Sequence, residues 1–121
     1  MAQGHSASKV STSFLAFSDA EPIGTIGAFF EGPEHKRAFV CAFWVAPSVR
    51  GSGAARMLLD TAVQWLTSQG ARSIFAWVAD SNSRAWAFYR QQGFVATDET
   101  QALPSNPAES ETLIRLDTDA G

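Results

Sequence analysis

Arg50 is followed by Gly51, Ser52, Gly53, Ala54 and Ala55, and then by an apolar helical pattern beginning at Met57. Side chains this small let a backbone come close to a guest, and the first turn of a helix leaves about four N–H groups without partners. Aligned peptide dipoles add partial positive charge at the same place, so these donors suit a phosphate or pyrophosphate, with Arg50 beside the turn as a further cation. Two well-known phosphate motifs are excluded: no Gly-Lys-Ser/Thr follows, and Arg56 stands where a dinucleotide fingerprint needs Gly or Ala. On spacing alone, a plain structural turn fits as well as an anion cradle.

Other residues that could do chemistry have quieter explanations beside the active ones. Asn82 sits where a helix N-cap is wanted, and a cap side chain can also touch a ligand. Tyr89 falls on the apolar face of the following helix, where a tyrosine ring packs with its hydroxyl at the rim. Cys41, alone of its kind, lies inside "RAFVCAFWVAP"; it cannot form an internal disulfide and reads as a small buried hydrophobe. Glu31, Glu34 and His35 share one loop, and Asp80 ends a strand; charged residues in such places are usually solvated surface groups. His5 lies in a polar leader segment with no periodicity.

The elements that must position these residues follow from pattern. Apolar stretches at Ser13–Phe17 and Ile23–Phe30 flank the turn formers "SDAEP", which predicts a hairpin. Ala38–Val45 is apolar on both alternating sets of side chains, as in a strand buried on both faces, and Pro47 ends it. Ala55, Leu58, Leu59, Ala62, Trp65 and Leu66 recur at helical spacing, with Gly70 as the stop. The strand Ser73–Val78 comes next, then a helix capped by Ser81 or Asn82 that carries Ala85, Phe88 and Tyr89 and stops at Gly93-Phe94. Val95–Ala102 and Glu111–Leu116, on either side of the turn-rich "LPSNPAES", complete the set as an antiparallel pair.

The order predicts one mixed α/β domain over residues 11–117, between tails at 1–10 and 118–121, with a mostly antiparallel sheet, splayed parallel central strands and covering helices. A chain of 121 residues has room for one core, and 45% apolar content with four Trp and nine Phe against 17% charged residues is that of a folded protein. A net charge of -3 with scattered basic residues gives no footprint for nucleic acid or an anionic membrane. No apolar span reaches membrane length and the start lacks the regions of a signal peptide, which points to the cytoplasm.

"VAPSVRGSGAARMLL" resembles the acetyl-coenzyme A motif of the GNAT acyltransferases: Arg or Gln, two residues, Gly, one residue, Gly or Ala, filled here by Arg50, Gly53 and Ala55. "NSRAWAFYRQQGF" is similar to a second segment of that family, with Asn82, Ala85, Tyr89, Gly93 and Phe94 in place. The resemblance covers about Ser11 to Leu116. It implies a coenzyme site formed by Trp44, Val45, Arg50, Gly51, Ser52, Gly53, Ala54, Ala55, Asn82 and Tyr89. The amides after Arg50 would hold the pyrophosphate, and free backbone groups near Trp44 and Val45 would pair with the pantetheine arm.

The same resemblance implies acetyl-CoA as cosubstrate with no metal, and an amine of a small molecule or peptide as acceptor. The amine would attack the thioester directly through a tetrahedral intermediate. The backbone N–H of Val45 would steady the oxyanion and Tyr89 would protonate the departing thiolate. The strand "AFVCAFWV" has no carboxylate where many family members carry a glutamate, so no base is assigned. About ten polar residues precede Ser11, where the family has a strand and two helices that wall the acceptor pocket. This implies a shortened form of the fold, whose open strand edge a second copy would cover as a homodimer. The alternative is a non-catalytic acyl-CoA-binding or regulatory module of the same fold.

Overall fold

Two strands run parallel at the centre of the sheet and part after two residue pairs, Ala38 with Ile74 and Phe39 with Phe75. The computed structural model describes residues 11–32 and 37–118. Along them run β1 (Ser11–Ser18), β2 (Glu21–Glu31), β3 (Arg37–Val45), a single 3-10 turn (Pro47–Val49), α1 (Ala54–Ser68), β4 (Ser73–Ala79), α2 (Ser83–Gln91), β5 (Val95–Leu103) and β6 (Asn106–Asp117). The sheet order is β1-β2-β3-β4-β6-β5, and every pairing except β3 with β4 is antiparallel. The predicted mixed sheet with a parallel centre is the one observed.

Both helices pack on one face. Leu58, Leu59, Ala62 and Leu66 of α1, with Tyr89 of α2 and Phe94 beyond it, share a core with Ile26, Ala28, Ala38, Val40, Ile74, Ala76, Val78 and Ile114. Their alternation along the strands sends every second side chain to this face. On the other face, Phe39 stacks on Phe29 at 5.2 Å and meets Phe75 at 5.8 Å. Arg37 lies over the Phe75 ring at 5.2 Å and grips both carboxylate oxygens of Glu99 at 3.1 and 3.0 Å. This aromatic row buries Phe39 with no helix over it among the described residues.

Several expectations need correction. The strand Ala38–Val45 is buried on both faces only at its start: Ala38, Phe39 and Val40 are buried, while Cys41, Ala42 and Trp44 are exposed. Beyond Phe39 the strand has lost β4 as a neighbour; Val40 is still covered by the helix-side core, whereas Cys41 stands over Gly27, which has no side chain to cover it, and is not the buried hydrophobe its apolar surroundings suggest. A bulge accompanies the parting. Gly27 pairs with Cys41 and Thr25 with Trp44, leaving Ala42 and Phe43 opposite Ile26, and Ala42 takes a left-handed φ of 49°.

The stretch "LPSNPAES" is mostly strand, since Leu103 pairs with Asn106 and the turn is Pro104-Ser105 alone. Pro107 is tolerated because that part of β6 extends past β4 and has β5 as its one partner. The first hairpin also closes in two residues, Asp19 and Ala20, both at positive φ (54° and 76°), the type I′ geometry that matches strand twist. Thr118, assigned to a tail, is tied to the Arg72 carbonyl through its amide at 2.9 Å and its hydroxyl at 3.0 Å. The leader 1–10 with His5, the loop residues Glu34 and His35, and residues 119–121 lie outside the described residues. Among the described residues no helix is long and apolar enough to cross a membrane.

Candidate functional site

The parting strands open a cleft of about 940 Å³ between the ends of β3 and β4, closed off by the starts of α1 and α2. Trp44, Val45, Arg50, Gly51, Gly53, Ala55, Asn82 and Tyr89, all singled out from sequence, line it together. Ser52 and Ala54 do not. The Ser52 hydroxyl folds back onto the Val49 carbonyl at 2.5 Å and its amide donates to the same oxygen at 3.1 Å. Ala54 is buried in the core beneath the turn.

Gly51 and Gly53 both adopt left-handed backbone, φ 87° and 93°, which a side chain would oppose. The first bond of α1 runs from the Met57 amide to the Gly53 carbonyl at 3.0 Å. Among the described residues no acceptor is found for the amides of Gly51, Gly53, Ala54, Ala55 and Arg56, and Gly53 offers no capping side chain. Five N–H groups around the positive end of a helix thus have no partner among the described residues, which is the chemistry of an anion site.

Arg50, Arg56 and Arg84 line the same cleft, the first two beside the start of α1 and the third at the start of α2. Arg56 reaches Asp60 at only 3.9 Å, with both side chains mostly in solvent. In a chain of net charge -3, a cleft lined by three arginines and, among the described residues, no Asp or Glu is a local reversal of sign. Arg56 and Arg84 were not predicted as site residues; each reaches the cleft because its helix begins there, which spacing alone does not reveal.

The position of α1 depends on Gly24. A Cβ built there would lie 2.7 Å from Leu58 Cδ1 and 2.9 Å from the Trp44 carbonyl, so the helix and the end of β3 close over a residue with no side chain. At the opposite wall, Asn82 Oδ1 accepts the Ala85 amide at 3.1 Å, a working N-cap, and Trp86 Nε1 donates to the Ala79 carbonyl at 3.1 Å. These two bonds fix α2 to the end of β4.

Tyr89 is held from three sides, by Phe43, Phe88 and Phe94 at centroid distances of 6.3, 5.6 and 5.0 Å. The residue is only 7% exposed, and its hydroxyl has no hydrogen-bond partner among the described residues. Burial, with a smaller contribution from the Cys41 thiol, pushes its pKa up to about 12. It is therefore a neutral phenol with a proton to donate.

The carboxylates stay away. Asp80 accepts the hydroxyls of Ser110 and Thr112, both at 2.6 Å, which lower its pKa and pin the end of β4 to β6. Glu31 pairs in register with Arg37 at the far end of β3. Glu111, buried on β6, takes the Gln101 amide at 2.5 Å. Among the described residues no Asp, Glu or His lines the cleft.

The family model described as acetyltransferase (GNAT) family matches residues 3–94. Among solved structures, a nourseothricin acetyltransferase superposes with a TM-score of 0.80 at 24% identity, over 88% of this chain and 65% of that one. The PaiA N-acetyltransferase of Thermoplasma acidophilum, in complex with coenzyme A, gives 0.73 at 20% identity over 88% of this chain and 60% of the other. The NatC complex bound to Gag peptide and CoA gives 0.72 at 18% identity over 87% and 70%. At these identities the likeness is one of fold, and the chain spans less than two thirds of the first two. No curated protein matches the sequence.

Proposed function

Because this chain belongs to the acetyltransferase (GNAT) family, we propose that it transfers the acetyl group of acetyl-CoA to an amine of a small molecule or peptide. The observation that carries this reading is the set of amides at the start of α1 left without a partner among the described residues, beside a cleft that Tyr89 also lines. The coenzyme's pyrophosphate fits the amides of Gly51, Gly53, Ala54 and Ala55, with Arg50, Arg56 and Arg84 supplying charge. Its pantetheine amides fit the strand edges left unpaired beyond Phe39 and Phe75, as an added strand pairs with a sheet.

In the reaction, the acceptor nitrogen attacks the thioester carbonyl and the carbonyl oxygen gains negative charge. On this reading a backbone N–H at Val45 receives that charge. Collapse of the tetrahedral intermediate expels the thiolate, and Tyr89, kept protonated by burial, gives it a proton. An alkylamine with a pKa of about 10 must first lose a proton. Among the described residues no carboxylate or histidine lines the cleft, and on this reading that proton leaves to water or is never taken up in a desolvated pocket.

That same lack favours a second reading, a non-catalytic acyl-CoA-binding or regulatory module. Calorimetric titration with acetyl-CoA and with coenzyme A, on the protein and on Arg50→Glu, tests both. Micromolar binding lost in the variant, followed by coenzyme A release with some member of an amine panel, supports the transferase. Binding with no turnover supports the module, and no binding by a folded protein sinks both. A homodimer is proposed from β1, which has β2 as its one partner among the described residues and exposes Leu15 at 61% and Phe17 at 57%. A stable monomer at micromolar concentration in light scattering would exclude it.

A further inference from the structure

On the face of the sheet away from the helices, the first three strands carry three rows of cross-strand neighbours. Ser11, Phe29 and Phe39 form one, Ser13, Gly27 and Cys41 the next, and Leu15, Thr25 and Trp44 the third. The outer rows are bulky and the middle one is not, since Gly27 has no side chain and Ser13 and Cys41 have short ones. A groove of about 430 Å³ results, lined by Ser11, Ser13, Gly27, Phe29, Cys41 and Ala42. The bulge in β3 supplies its apolar rim. With one extra residue there, Phe43 turns to the helices, where it meets Phe88 and Tyr89 at 5.7 and 6.3 Å, and Trp44 comes out on the opposite face in the row of Leu15, both exposed.

Groove and cleft share Cys41 and Ala42 in their walls, so the two hollows adjoin at the bulge. Their chemistry differs. The cleft carries Arg50, Arg56 and Arg84. Among the described residues no charged side chain lines the groove, and no Asp or Glu lines either hollow. A guest with a second positive charge would find like charges in the adjoining cleft and no counter-ion, and the loss of its hydration would go uncompensated. An uncharged hydrocarbon or aromatic body would instead shed water against Phe29 and the rim of Leu15 and Trp44.

We propose that this groove selects the acceptor, and that the acceptor is a primary amine on an uncharged apolar or aromatic body, not a diamine or polyamine. This rests on the coenzyme site proposed above. With the thioester in the cleft, the acceptor's body lies along the row of Ser13, Gly27 and Cys41, and its nitrogen crosses beside Cys41 and Ala42 to the thioester carbonyl. The amine reacts as the free base. Its N–C bond forms as the thioester C–S bond breaks, and the proton lost from nitrogen balances the one gained by the coenzyme's thiolate. An acceptor with one amine has one charge to neutralise on entry, and a diamine has a second that stays behind in the groove.

The test compares n-hexylamine with hexamethylenediamine, which adds a second ammonium to the same chain, and with ethylamine, which lacks the apolar body. Coenzyme A release from acetyl-CoA is followed with each amine on the whole chain and on Ser13→Asp, which places a carboxylate in the groove. Calorimetric titration of both proteins with acetyl-CoA reports the coenzyme site itself. The expected result is a kcat/KM for n-hexylamine at least about tenfold above that of either other amine. In Ser13→Asp the ratio of hexylamine to diamine should fall at least about fivefold while acetyl-CoA affinity stays as it was. Equal or better use of the diamine, no gain from the longer chain, or an unmoved ratio in Ser13→Asp overturns the proposal. Binding of acetyl-CoA with turnover of none of the three amines overturns it too and leaves the coenzyme site standing, whereas no binding of acetyl-CoA by the folded protein overturns both.

Discussion

The amide of Phe94 donates to the carbonyl of Tyr89 at 3.0 Å, and the two rings meet edge to face at 5.0 Å. With the Gly93 amide on the Arg90 carbonyl at 3.1 Å, this is a Schellman stop whose hydrophobic contact is the tyrosine itself. The signal that ends α2 is thus also the support that aims Tyr89. Tyr89→Phe keeps the ring and the contact and removes only the proton. It is expected to lower kcat about a hundredfold with little change in acetyl-CoA affinity. Steady-state kinetics with calorimetry separates the two; an unchanged kcat would remove Tyr89 from the chemistry.

Burial raises the pKa of Tyr89 from an ordinary 10.0 to about 12. The unfolded chain therefore gives up this proton first, and the fold is favoured fully below about pH 10 and progressively less from there to about pH 12. Two units correspond to roughly 2 to 3 kcal/mol of stability lost over that window. Urea midpoints measured from pH 8 upward should fall with a slope that is missing in Tyr89→Phe.

Arg56 and Arg84 carry charge to the cleft without touching its chemistry. Arg56→Glu and Arg84→Glu should each weaken coenzyme A binding about tenfold at low salt, and less at high salt, because exposed charges are screened. Stability should change little. Loss of both effects in one variant would place that arginine outside the coenzyme's reach.

Gly24 is the contact over which α1 closes on β3. Gly24→Val should force the Leu58 side chain and the start of the helix outward, costing about 1 to 3 kcal/mol as overpacking does, and weakening coenzyme A binding through a displaced cradle. Thermal unfolding and calorimetry on the same variant read the two together. Ala20→Gly works in the opposite sense. It relieves a left-handed alanine in the first hairpin and should add about 1 kcal/mol without touching the site.

Most of the architecture was legible because it is written locally. Alternation marked the strands, three-and-four spacing marked both helices, and Gly70 and Gly93 marked their ends through the left-handed φ they adopt. The cradle was legible for the same reason, since small residues before a helix say where bare amides must be. What escaped depends on neighbours distant in sequence. Nothing in "RAFVCAFWV" announces that β4 leaves β3 after Phe39, so the exposure of Cys41 went unforeseen. Ser52 looked like part of the cradle until its hydroxyl turned onto Val49. Gly24 resembled any strand glycine, because Leu58 and Trp44 meet it only in the folded chain. Pro107 suggested a loop because its place beyond the edge of β4 is a matter of sheet outline.

The two-pair ladder between β3 and β4 divides the sheet into trios, β1-β2-β3 and β4-β6-β5, each joined within itself by longer antiparallel ladders with bulges. Within the sheet the two trios meet only along that short seam, while the helix-side core packs across both. A guest that hydrogen-bonds to both edges of the open part lengthens that seam, so its binding energy is also cohesion between the trios. Amide hydrogen exchange should then slow on addition of coenzyme A well beyond the contact residues, across both trios, because opening the seam is the motion that exposes them.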